Sequence, residues 1–553
     1  MTQDDQNACL RGQMMGMPLL ISGILQRADR HFGGVEVVSR LPSGAMHRYT
    51  YRDCHRRARQ LAAAMAAQGM RTGDRVGTLA WNSYRHLESY YAVPGAGAVL
   101  HTLNPRLFQE QIVYMVNHAQ DSWMMFDPAF APLVQAIAPR CTGVKGWIAL
   151  CGRDEMPQLD GLPALLCYEE LLEAAADNSY AWPQLDETAA SGLCYTSGTT
   201  GDPKGVLYSH RSTVLHAMAS SFPDAFGLSA RDVVCPVVPM FHVNAWGLPY
   251  AAAMNGAKLV LPGSALDGAS VYELFEQDGV TFSAGVPTVW MGLLDHAAKQ
   301  EAGFSTFKRT VIGGSACPAA MMKTFRERYG IEVVHAWGMT ETSPLATTGK
   351  LLARHDSLPE PERQAVLGKQ GTAIFGVDIK IVNDEGRELP WDGETAGNLM
   401  AKGPWVVERY YRNPARAADS DGWFNTGDVA TIDDDGYLKI TDRNKDVIKS
   451  GGEWISSIEL ENLVMAHPAV QQAACIGVHH PKWDERPLLV VVKRQDAVLE
   501  KEQLLDFLDG KVAKWWRPDE VEFVESLPLG ATGKVLKNKL REQFREFRFT
   551  APA

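Results

Sequence analysis

The segment YTSGTTGDPKGV, from Tyr195 to Val206, contains three glycines, four serine or threonine hydroxyls and one lysine. Glycine lets backbone N–H groups approach a ligand closely, and successive N–H groups can surround phosphate oxygens. The hydroxyls add hydrogen-bond donors, and Lys204 adds a mobile cation. The composition therefore predicts a phosphate-binding loop, with a flexible surface loop as the alternative.

This segment differs from the Walker A loop. That motif needs a Gly-Lys-Ser/Thr run five residues after its first glycine. Counted from Gly198, the required glycine position holds Pro203, and Lys204 is followed by Gly205. The sequence thus indicates another solution to phosphate binding.

The bulk properties are those of a multidomain globular protein. The chain has 553 residues, and domains of roughly 100–200 residues predict about three or four units. Hydrophobic residues make up 46% and charged residues 22% of the chain, which is ordinary for a globular protein. The net charge of −11 argues against nucleic-acid binding, which depends on basic side chains. A small anionic substrate needs only a few local cations and stays allowed.

The cysteines and the hydropathy favour a cytoplasmic location. None of the nine cysteines forms a C-x-x-C pair or a Cys/His cluster with zinc spacing, so we expect reduced thiols. The N-terminal residues begin acidic and predict no secretion signal. No stretch reaches 18 apolar residues, so no transmembrane segment is predicted.

Helical and strand-like patterns alternate over the first two thirds of the chain. A helix is predicted at Tyr51–Met70 and a buried strand at Arg75–Asn82. Further strands are predicted at Lys258–Gly263, Arg309–Ala316 and Ile331–Gly338. This alternation indicates layered α/β structure with largely parallel sheets. Ligands of such sheets bind at the carboxyl ends of strands.

The pattern changes twice towards the C-terminus. From about Gly376, short alternating strands with D-G and E-G turns predict antiparallel hairpins. After Gly451 the pattern is mixed, with helices predicted at Ser457–Met465 and near Leu504–Lys514. The charged segment Asp442–Lys445 separates the two regions and predicts a domain boundary.

Six further motifs follow the loop in a fixed order. They are PMFHVNAW (239–246), GGSACP (313–318), HAWGMTETSP (335–344), GWFNTGD (422–428), DRNKDVIKSGGEWIS (442–456) and GATGKVLKNKLR (530–541). With the loop they resemble the adenylate-forming superfamily of acyl-CoA synthetases, firefly-type luciferases and peptide-synthetase adenylation domains. The stretches AVPGAGAVLHTLNPRL, VVCPVVPMFHVNAW and KSGGEWIS most resemble medium- and long-chain fatty acyl-CoA synthetases and the related 3-methylmercaptopropionate-CoA ligases.

The resemblance implies an α/β fold with two domains. A large N-terminal domain, residues 1–441, would combine layered α/β subdomains with a small β-barrel-like subdomain. Residues 442–446 would form a hinge, with Lys445 at its matching position. Residues 447–553 would form a small mobile α+β domain.

The family's chemistry has two steps. A carboxylate attacks the α-phosphate of ATP to give acyl-AMP and pyrophosphate, and the thiol of CoA then displaces AMP. No protein nucleophile takes part, and catalysis rests on positioning and on charge neutralisation at phosphorus. The implied co-substrates are ATP and CoA, with Mg²⁺ as the metal.

The resemblance assigns roles to individual residues. Lys534 matches the catalytic lysine, which would bridge the substrate carboxylate and the α-phosphate. Thr340 matches an α-phosphate contact, and Thr196 and Glu341 match positions that hold Mg²⁺. The residues matching the wall around the β- and γ-phosphates are Thr196, Ser197, Gly198, Thr199, Thr200, Gly201 and Lys204.

The nucleoside would bind at three other motifs. Asp428 would accept hydrogen bonds from both ribose hydroxyls, with Arg443 nearby. Trp337, where related enzymes often carry Tyr, would lie on the adenine ring. The other residues matching the ATP site are Gly314, Ser315, Ala316, Gly338 and Met339.

The acyl and CoA sides carry the remaining matches. Those for the acyl pocket are His242, Trp246, Gly285, Val286 and Pro287, with Trp246 as the gate of the acyl tunnel. Those facing CoA after domain rotation are Lys449, Gly451, Gly452, Glu453 and Trp454. Simpler interpretations stay open. His242 could be an ordinary buried histidine and Trp246 a core side chain. Gly285, Val286 and Pro287 could serve ordinary packing and not the wall of an acyl pocket.

The leading hypothesis is an ATP-dependent medium-chain fatty acid–CoA ligase. The alternative is a 3-methylmercaptopropionate or other short-chain acid CoA ligase. A carrier-loading adenylation module is disfavoured because no carrier domain is apparent, and a non-catalytic binding protein because Glu341, Asp428 and Lys534 are all present. The resemblance also implies a homodimer, and an oily substrate leaves peripheral membrane contact open.

Overall fold

A computed structural model describes residues 12–175, 180–196, 202–450, 453–495, 497–530 and 534–549. Its helices are α1 (Ile21–Phe32), α2 (Tyr51–Ala67), α3 (Tyr84–Gly95), α4 (Gln109–Ala119), α5 (Ala131–Ile137), α6 (Tyr168–Ala174), α7 (His210–Ser220), α8 (Val243–Trp246), α9 (Leu248–Asn255), α10 (Gly268–Asp278), α11 (Pro287–Lys299), α12 (Ala319–Lys323), α13 (Glu360–Leu367), α14 (Ser457–Met465), α15 (Lys501–Phe507) and α16 (Lys537–Gln543).

The strands of the large N-terminal region are β1 (Glu36–Arg40), β2 (Met46–Thr50), β3 (Arg75–Leu79), β4 (Val99–Thr102), β5 (Asp121–Phe126), β6 (Gly146–Ala149), β7 (Leu165–Cys167), β8 (Ala190–Thr196), β9 (Lys204–Ser209), β10 (Val233–Pro236), β11 (Lys258–Leu261), β12 (Phe282–Gly285), β13 (Arg309–Ile312), β14 (Glu332–Gly338), β15 (Leu345–Gly349), β16 (Thr372–Ala373), β17 (Asp378–Val382), β18 (Gly397–Lys402), β19 (Phe424–Ile432) and β20 (Leu438–Arg443). Those that follow are β21 (Ile448–Ser450), β22 (Glu453–Ile455), β23 (Val470–His480), β24 (Asp484–Lys493) and β25 (Glu520–Phe523).

Two large sheets form the body of the N-terminal domain. One has seven strands in the order β7-β6-β5-β3-β4-β8-β9, parallel except for the β8–β9 hairpin at its edge. The other has nine strands in the order β16-β15-β14-β13-β12-β10-β11-β1-β2, parallel from β1 through β14. Their strands are continuous apolar runs, as in β5, because both faces of a parallel sheet are covered.

Helices fill the space between these sheets. Every residue of α3 except Arg85 is buried, and α3 contacts β4 and β8 of the first sheet and β1 of the second. A helix buried on nearly all sides lies in the interior of a large protein and not at its surface. The prediction of layered α/β structure is confirmed.

The two smaller sheets follow in the chain. The predicted β-barrel-like subdomain contains an antiparallel sheet in the order β17-β18-β19-β20. The C-terminal domain has the order β22-β21-β24-β23, with β25 parallel to β24. The predicted hinge covers the last two residues of β20 and the turn after them, where Val447 N donates to Arg443 O.

Several predicted elements end earlier in the structure. The helix predicted at Tyr51–Met70 ends at Ala67, and the strand predicted at Arg75–Asn82 ends at Leu79. The helix predicted near Leu504–Lys514 is wrong in position, because α15 runs from Lys501 to Phe507. Gly510 follows it with φ of +75°, a left-handed conformation that an α-helix does not continue through.

No helix in the described parts of the chain is both long enough and apolar enough to span a bilayer.

Candidate active site

The predicted site residues converge at the carboxyl ends of β12, β13 and β14. Gly314 follows β13 with φ of +79°. A Cβ atom on Gly314 would lie 3.2 Å from Val286 Cγ1, 3.7 Å from Trp246 and 3.8 Å from Lys534 Cε. The structure thus brings together residues that were predicted for four different roles: Gly314 for the adenine side, Val286 for the acyl wall, Trp246 for the gate and Lys534 for catalysis.

Lys534 reaches into the large domain from the C-terminal domain. The pKa of its ammonium is lowered to about 8, chiefly by burial and then by the nearby Arg443, while Asp428 and Glu341 oppose the shift. The lysine therefore shares an electrostatic environment with both carboxylates assigned to ATP and Mg²⁺. The sequence analysis assigned each of these three residues to the site from a different motif, and the fold places them near one another.

Asp428 stands in β19 opposite Arg443 of β20. Arg443 Nε lies 3.6 Å from Asp428 Oδ1, and Trp337 Nε1 donates to Asp428 Oδ2 at 2.9 Å. Burial raises the pKa of Asp428, and Arg443 and the Trp337 hydrogen bond act against that rise. The carboxylate is thus held by a cation on one oxygen and an indole N–H on the other.

The contact between Trp337 and Asp428 was not predicted from the sequence. The resemblance assigned Trp337 to adenine stacking, and a stacking partner need not donate a hydrogen bond. The only available signal was the departure from tyrosine at this position, since an indole N–H is a donor alone.

Glu341 lies in the short turn Thr340–Thr342, against which β8 packs. Tyr410 Oη donates to Glu341 Oε1 at 2.9 Å. Burial raises the pKa of Glu341, while Tyr410, Arg443 and Lys204 lower it. Lys204 Nζ also lies 5.0 Å from the centroid of the Tyr410 ring. Tyr410 belongs to none of the motifs and was missed by sequence analysis.

The backbone around Thr340 is fixed by neighbours. Tyr208 Oη donates to the carbonyl oxygen of Thr340 at 2.7 Å. A Cβ atom on Gly338 would come within 1.9 Å of the carbonyl oxygen of Pro344, so no side chain fits there. Met339 N donates to the same carbonyl at 3.1 Å. The β14 end therefore needs its glycine for close approach.

Part of the predicted ATP and CoA sites lies outside the described residues. These positions are Ser197, Gly198, Thr199, Thr200, Gly201, Gly451 and Gly452, together with the side chains of Glu453 and Trp454. Thr196 and Lys204, which flank the loop, pair across the β8–β9 hairpin. Ser315 and Ala316 directly follow Gly314.

The acyl side is built on an unusual turn. The four residues Val243 to Trp246 have φ values of 45°, 52°, 48° and 57°, so α8 is one left-handed turn. Left-handed backbone costs non-glycine residues roughly 1–2 kcal/mol each. Such strain persists where the surrounding structure fixes it, most often at functional sites.

Two of the five residues predicted for the acyl side lie at this turn: His242 directly precedes it and Trp246 ends it. Trp246 is buried, and its ring lies 3.4 Å from where a Cβ on Gly313 would stand. Burial and, to a smaller extent, the Lys534 ammonium together lower the pKa of His242 to about 4. His242 is therefore a neutral group at neutral pH. Two further residues predicted for the wall of the acyl pocket are Gly285, at the end of β12, and Pro287, at the start of α11.

The hinge region contains a charged cluster that sequence analysis did not identify. Asp442 is buried, and its Oδ2 accepts from Ser457 N at 2.7 Å and from Ser457 Oγ at 2.6 Å. Lys537 Nζ donates to Ser457 Oγ at 2.5 Å and pairs with Glu461 at 2.8 Å. We call Asp442, Ser457, Glu461 and Lys537 the hinge cluster. It joins β20 to α14 and α16 across Lys445.

The two lysines predicted for the hinge and for the CoA side are both exposed. Lys445 lies in the hinge turn, where its charge helps to lower the pKa of Lys534, and Lys449 lies on β21.

The residues present fit a hard cation only together with phosphate oxygens. No group of three or more His, Cys, Asp or Glu side chains in the described ranges forms a self-sufficient metal site. Glu341 and Thr196 are oxygen donors on adjoining elements, which is the donor chemistry that Mg²⁺ prefers beside a nucleotide.

Comparison with known proteins places the chain in a family. Residues 25–411 match the AMP-binding enzyme family, and residues 459–534 match the AMP-binding enzyme C-terminal domain. The chain is 55% identical to the 3-methylmercaptopropionyl-CoA ligase of Ruegeria lacuscaerulensis, over 97% of this chain and 99% of that protein. It is 51% identical to the medium-chain-fatty-acid–CoA ligase of Ectopseudomonas oleovorans, over 96% and 97%.

The fold agrees with a solved structure. The anthranilate CoA ligase AuaEII, in complex with anthranoyl-AMP, superposes with a TM-score of 0.85 at 24% identity, covering 97% of this chain and 99% of that one. The resemblance drawn from the motifs and the predicted fold class are both confirmed. The chain belongs to the AMP-binding enzyme family and is an adenylate-forming acyl-CoA synthetase.

Proposed function

We propose that this protein joins an aliphatic carboxylate of medium chain length to CoA, using ATP and passing through an acyl-adenylate. The observation that carries the proposal is the position of Lys534, which the C-terminal domain places beside Gly314 and among Asp428, Glu341 and His242. A cation at the junction of the nucleotide and acyl sides is what a reaction between two anions requires.

In the first half-reaction, a carboxylate oxygen forms a bond to the α-phosphorus, and the bond from that phosphorus to pyrophosphate breaks. The Lys534 ammonium offsets the charge of the two approaching anions. Asp428 holds the ribose, with its two oxygens oriented by Arg443 and Trp337. Thr340 binds the α-phosphate from a backbone that Tyr208 fixes.

Glu341 and Thr196 would hold Mg²⁺ together with the nucleotide. When bound, the cation neutralises charge on the leaving pyrophosphate. Tyr410 orients Glu341 by donating to one of its oxygens. Lys204 adds a further positive charge on the phosphate side, 5.0 Å from the Tyr410 ring centroid.

In the second half-reaction, the CoA sulfur forms a bond to the acyl carbon, the bond from that carbon to AMP breaks, and the thiol proton is released. We propose that residues 447–553 rotate about Lys445 between the two steps, withdrawing Lys534. The exposed Lys449, with Gly451, Gly452, Glu453 and Trp454, would then face CoA. This proposal divides the chain into 1–441, 442–446 and 447–553, and the exposure of Lys449 on β21 is consistent with a role in contacting CoA.

The acyl chamber suits an uncharged chain. Trp246 and Val286 line it with apolar surface, and His242 is neutral because burial and Lys534 depress its pKa. A second candidate substrate is 3-methylmercaptopropionate, because the relative named for that acid is 55% identical over nearly the whole chain. Both are flexible aliphatic carboxylates, so the site chemistry is shared.

The test is AMP release with ATP, Mg²⁺ and CoA across acetate, 3-methylmercaptopropionate, hexanoate, octanoate, dodecanoate, palmitate and one aryl acid. We expect the largest kcat/KM between six and twelve carbons. A maximum at 3-methylmercaptopropionate would transfer the assignment to the second candidate. Pyrophosphate release without any thioester would contradict CoA as the acceptor.

We further propose a cytoplasmic homodimer. The eight described cysteines are all free and buried, which supports a reducing compartment. The dimer rests on resemblance to long-chain fatty acyl-CoA synthetases. Sedimentation analysis tests the dimer, and sedimentation with vesicles tests peripheral membrane contact.

A further inference from the structure

We propose that His118, at the C-terminal end of α4, is a positioning residue for ATP binding that acts through Tyr195. The inference rests on the proposed function, since it concerns the placement of Thr196 and Lys204. None of the sequence motifs contains His118. His118 forms a hydrogen bond with Tyr195, the first residue of the segment 195–206.

The contact lies directly beside two predicted ATP-binding residues. His118 Nδ1 and Tyr195 Oη are 2.7 Å apart. Tyr195 precedes Thr196 in β8 and pairs with Gly205 of β9, next to the pair formed by Thr196 and Lys204. A displacement of Tyr195 would therefore move the strand ends that carry both ATP-binding side chains.

The end of α4 also holds the second strand of this hairpin. Tyr411 N donates to Gly205 O at 2.8 Å, and Tyr411 Oη donates to Ala119 O at 3.2 Å. Arg412 Nη1 donates to His118 O at 3.0 Å. We call His118, Ala119, Tyr195 and Tyr411 the α4 clamp. It reaches both strands of the hairpin from one helix end.

The pKa shifts of His118 and Tyr195 both favour the uncharged forms near neutral pH, so the hydrogen bond is kept there. Burial raises the pKa of the Tyr195 phenol, so its hydroxyl keeps its proton. Burial, followed by the neighbouring Arg412, lowers the pKa of His118, so the imidazole is neutral. A hydroxyl can donate to a bare Nδ1 or accept from Nδ1–H, so either tautomer preserves the contact.

His118 could instead matter for ATP binding only because its ring packs against neighbouring aromatic rings. Its ring stacks on Tyr114 with centroids 5.4 Å apart and meets Tyr195 edge-on at 5.8 Å. Tyr195→Phe keeps this packing and removes only the hydroxyl. It therefore separates a hydrogen-bonded clamp from an aromatic cluster.

The experiment measures the Kd for ATP by calorimetry, and the KM values for ATP and acid, in Tyr195→Phe, His118→Ala, His118→Asn and the Tyr195→Phe/His118→Ala double variant. We expect about tenfold weaker ATP binding in the first two, as for the loss of one buried hydrogen bond. The KM for the acid and the melting temperature of Tyr195→Phe should stay at wild-type values. The double variant should bind ATP no more weakly than either single variant.

Two variants serve as rescue and control. His118→Asn places a carboxamide oxygen near the position of Nδ1 and should restore the Kd to within about twofold of wild type. Tyr114→Phe alters the ring on the other face of His118 and should leave the Kd for ATP unchanged.

The proposal fails if Tyr195→Phe binds ATP as wild type does, if the two single effects add in the double variant, or if His118→Asn is as weak as His118→Ala. In each case the wild-type enzyme would still bind ATP and form acyl-CoA, so the proposed function would stand. Absence of ATP binding by the wild-type protein would overturn both.

Discussion

The two junctions that hold the active site together are built from different chemistry. At the α4 clamp, the phosphate-loop hairpin is fixed by neutral groups, as in the contact between His118 and Tyr195. At the hinge cluster, the C-terminal domain is joined to the end of β20 by a carboxylate: Asp442 accepts from Ser457 N and Oγ, and the Lys537 ammonium donates to the same Ser457 Oγ.

The difference matches what each junction has to do. Charged groups regain hydration when they separate, so the net free energy of docking a buried ion cluster is small. Packed apolar rings gain no such hydration when they separate. Exposing their surface to water costs about 25 cal/mol of free energy per Å². A junction that must open and close is better made of charges, and one that must stay closed is better made of packed rings.

The largest effect is expected from removing the Lys534 charge, which the C-terminal domain carries and which we propose is withdrawn between the two steps. Lys534→Ala should lower acyl-AMP formation from acid and ATP by a factor of about 10³ or more, because it removes the cation that lies beside Gly314, Val286 and Trp246, where the two anions are proposed to meet. Thioester formation from supplied acyl-AMP should be largely spared. Pyrophosphate release and acyl-CoA formation, measured separately, test this. Equal loss in both would remove Lys534 from its assigned role.

The acidity of Lys534 should appear in the pH profile. The cationic form is needed, and its pKa in the free enzyme is about 8. The kcat/KM of the first half-reaction should therefore be flat below pH 8 and fall tenfold per unit above it. Lys534→Arg, which stays charged, should be slower and should lack this alkaline limb. A limb that persists in the arginine variant would belong to another group.

The hinge cluster can be broken at its β20 residue alone. Asp442→Ala removes the acceptor of Ser457 N and Oγ, while Lys537 keeps its ion pair with Glu461. The C-terminal domain should therefore dock less tightly with Lys534 in place. The first half-reaction should slow about tenfold, while the second should not slow.

The matched control for that variant is Asp446→Ala. Its carboxylate pairs with Arg541 at 2.7 Å, and both residues lie on the C-terminal side of Lys445. It should change the ratio of the two half-reactions less than Asp442→Ala does. If both variants shift the ratio equally, the cluster is not a domain-docking contact.

The smallest effect is expected within the large domain. Trp337→Phe removes the donor to Asp428 Oδ2 and keeps an aromatic ring. The KM for ATP should rise about threefold, with kcat close to wild type, since one of several groups orienting the carboxylate is lost. A calorimetric Kd for AMP should rise in parallel. An unchanged Kd would leave Trp337 with stacking as its only role.

Much of the architecture followed from local pattern. Helix α14 was predicted with its observed bounds, because Ser456 caps it and a continuous apolar face follows. The parallel strands of the large sheets were visible as short apolar runs. Element ends were less accurate: α15 was placed too far along the chain, because periodicity alone did not reveal where Gly510 turns left-handed.

The site was predictable where residues sit in motifs and hidden where they do not. Lys534, Asp428 and Glu341 were assigned from motif position, and the fold brings them together. Tyr410 and His118 were missed because their partners lie 69 and 77 residues away in the chain. A hydrogen bond over such a separation leaves no local signal in one sequence.

The left-handed turn at residues 243–246 has a consequence for reshaping the acyl chamber by mutagenesis. The chamber has two kinds of wall with unequal mutational tolerance. Side chains such as Val286 project from ordinary backbone, and exchanging them changes volume alone. Positions such as Asn244 and Ala245 have positive φ. A β-branched residue there would strain the left-handed backbone conformation and so displace the Trp246 side chain. Variant libraries aimed at chain length should concentrate on the first wall and leave the second intact.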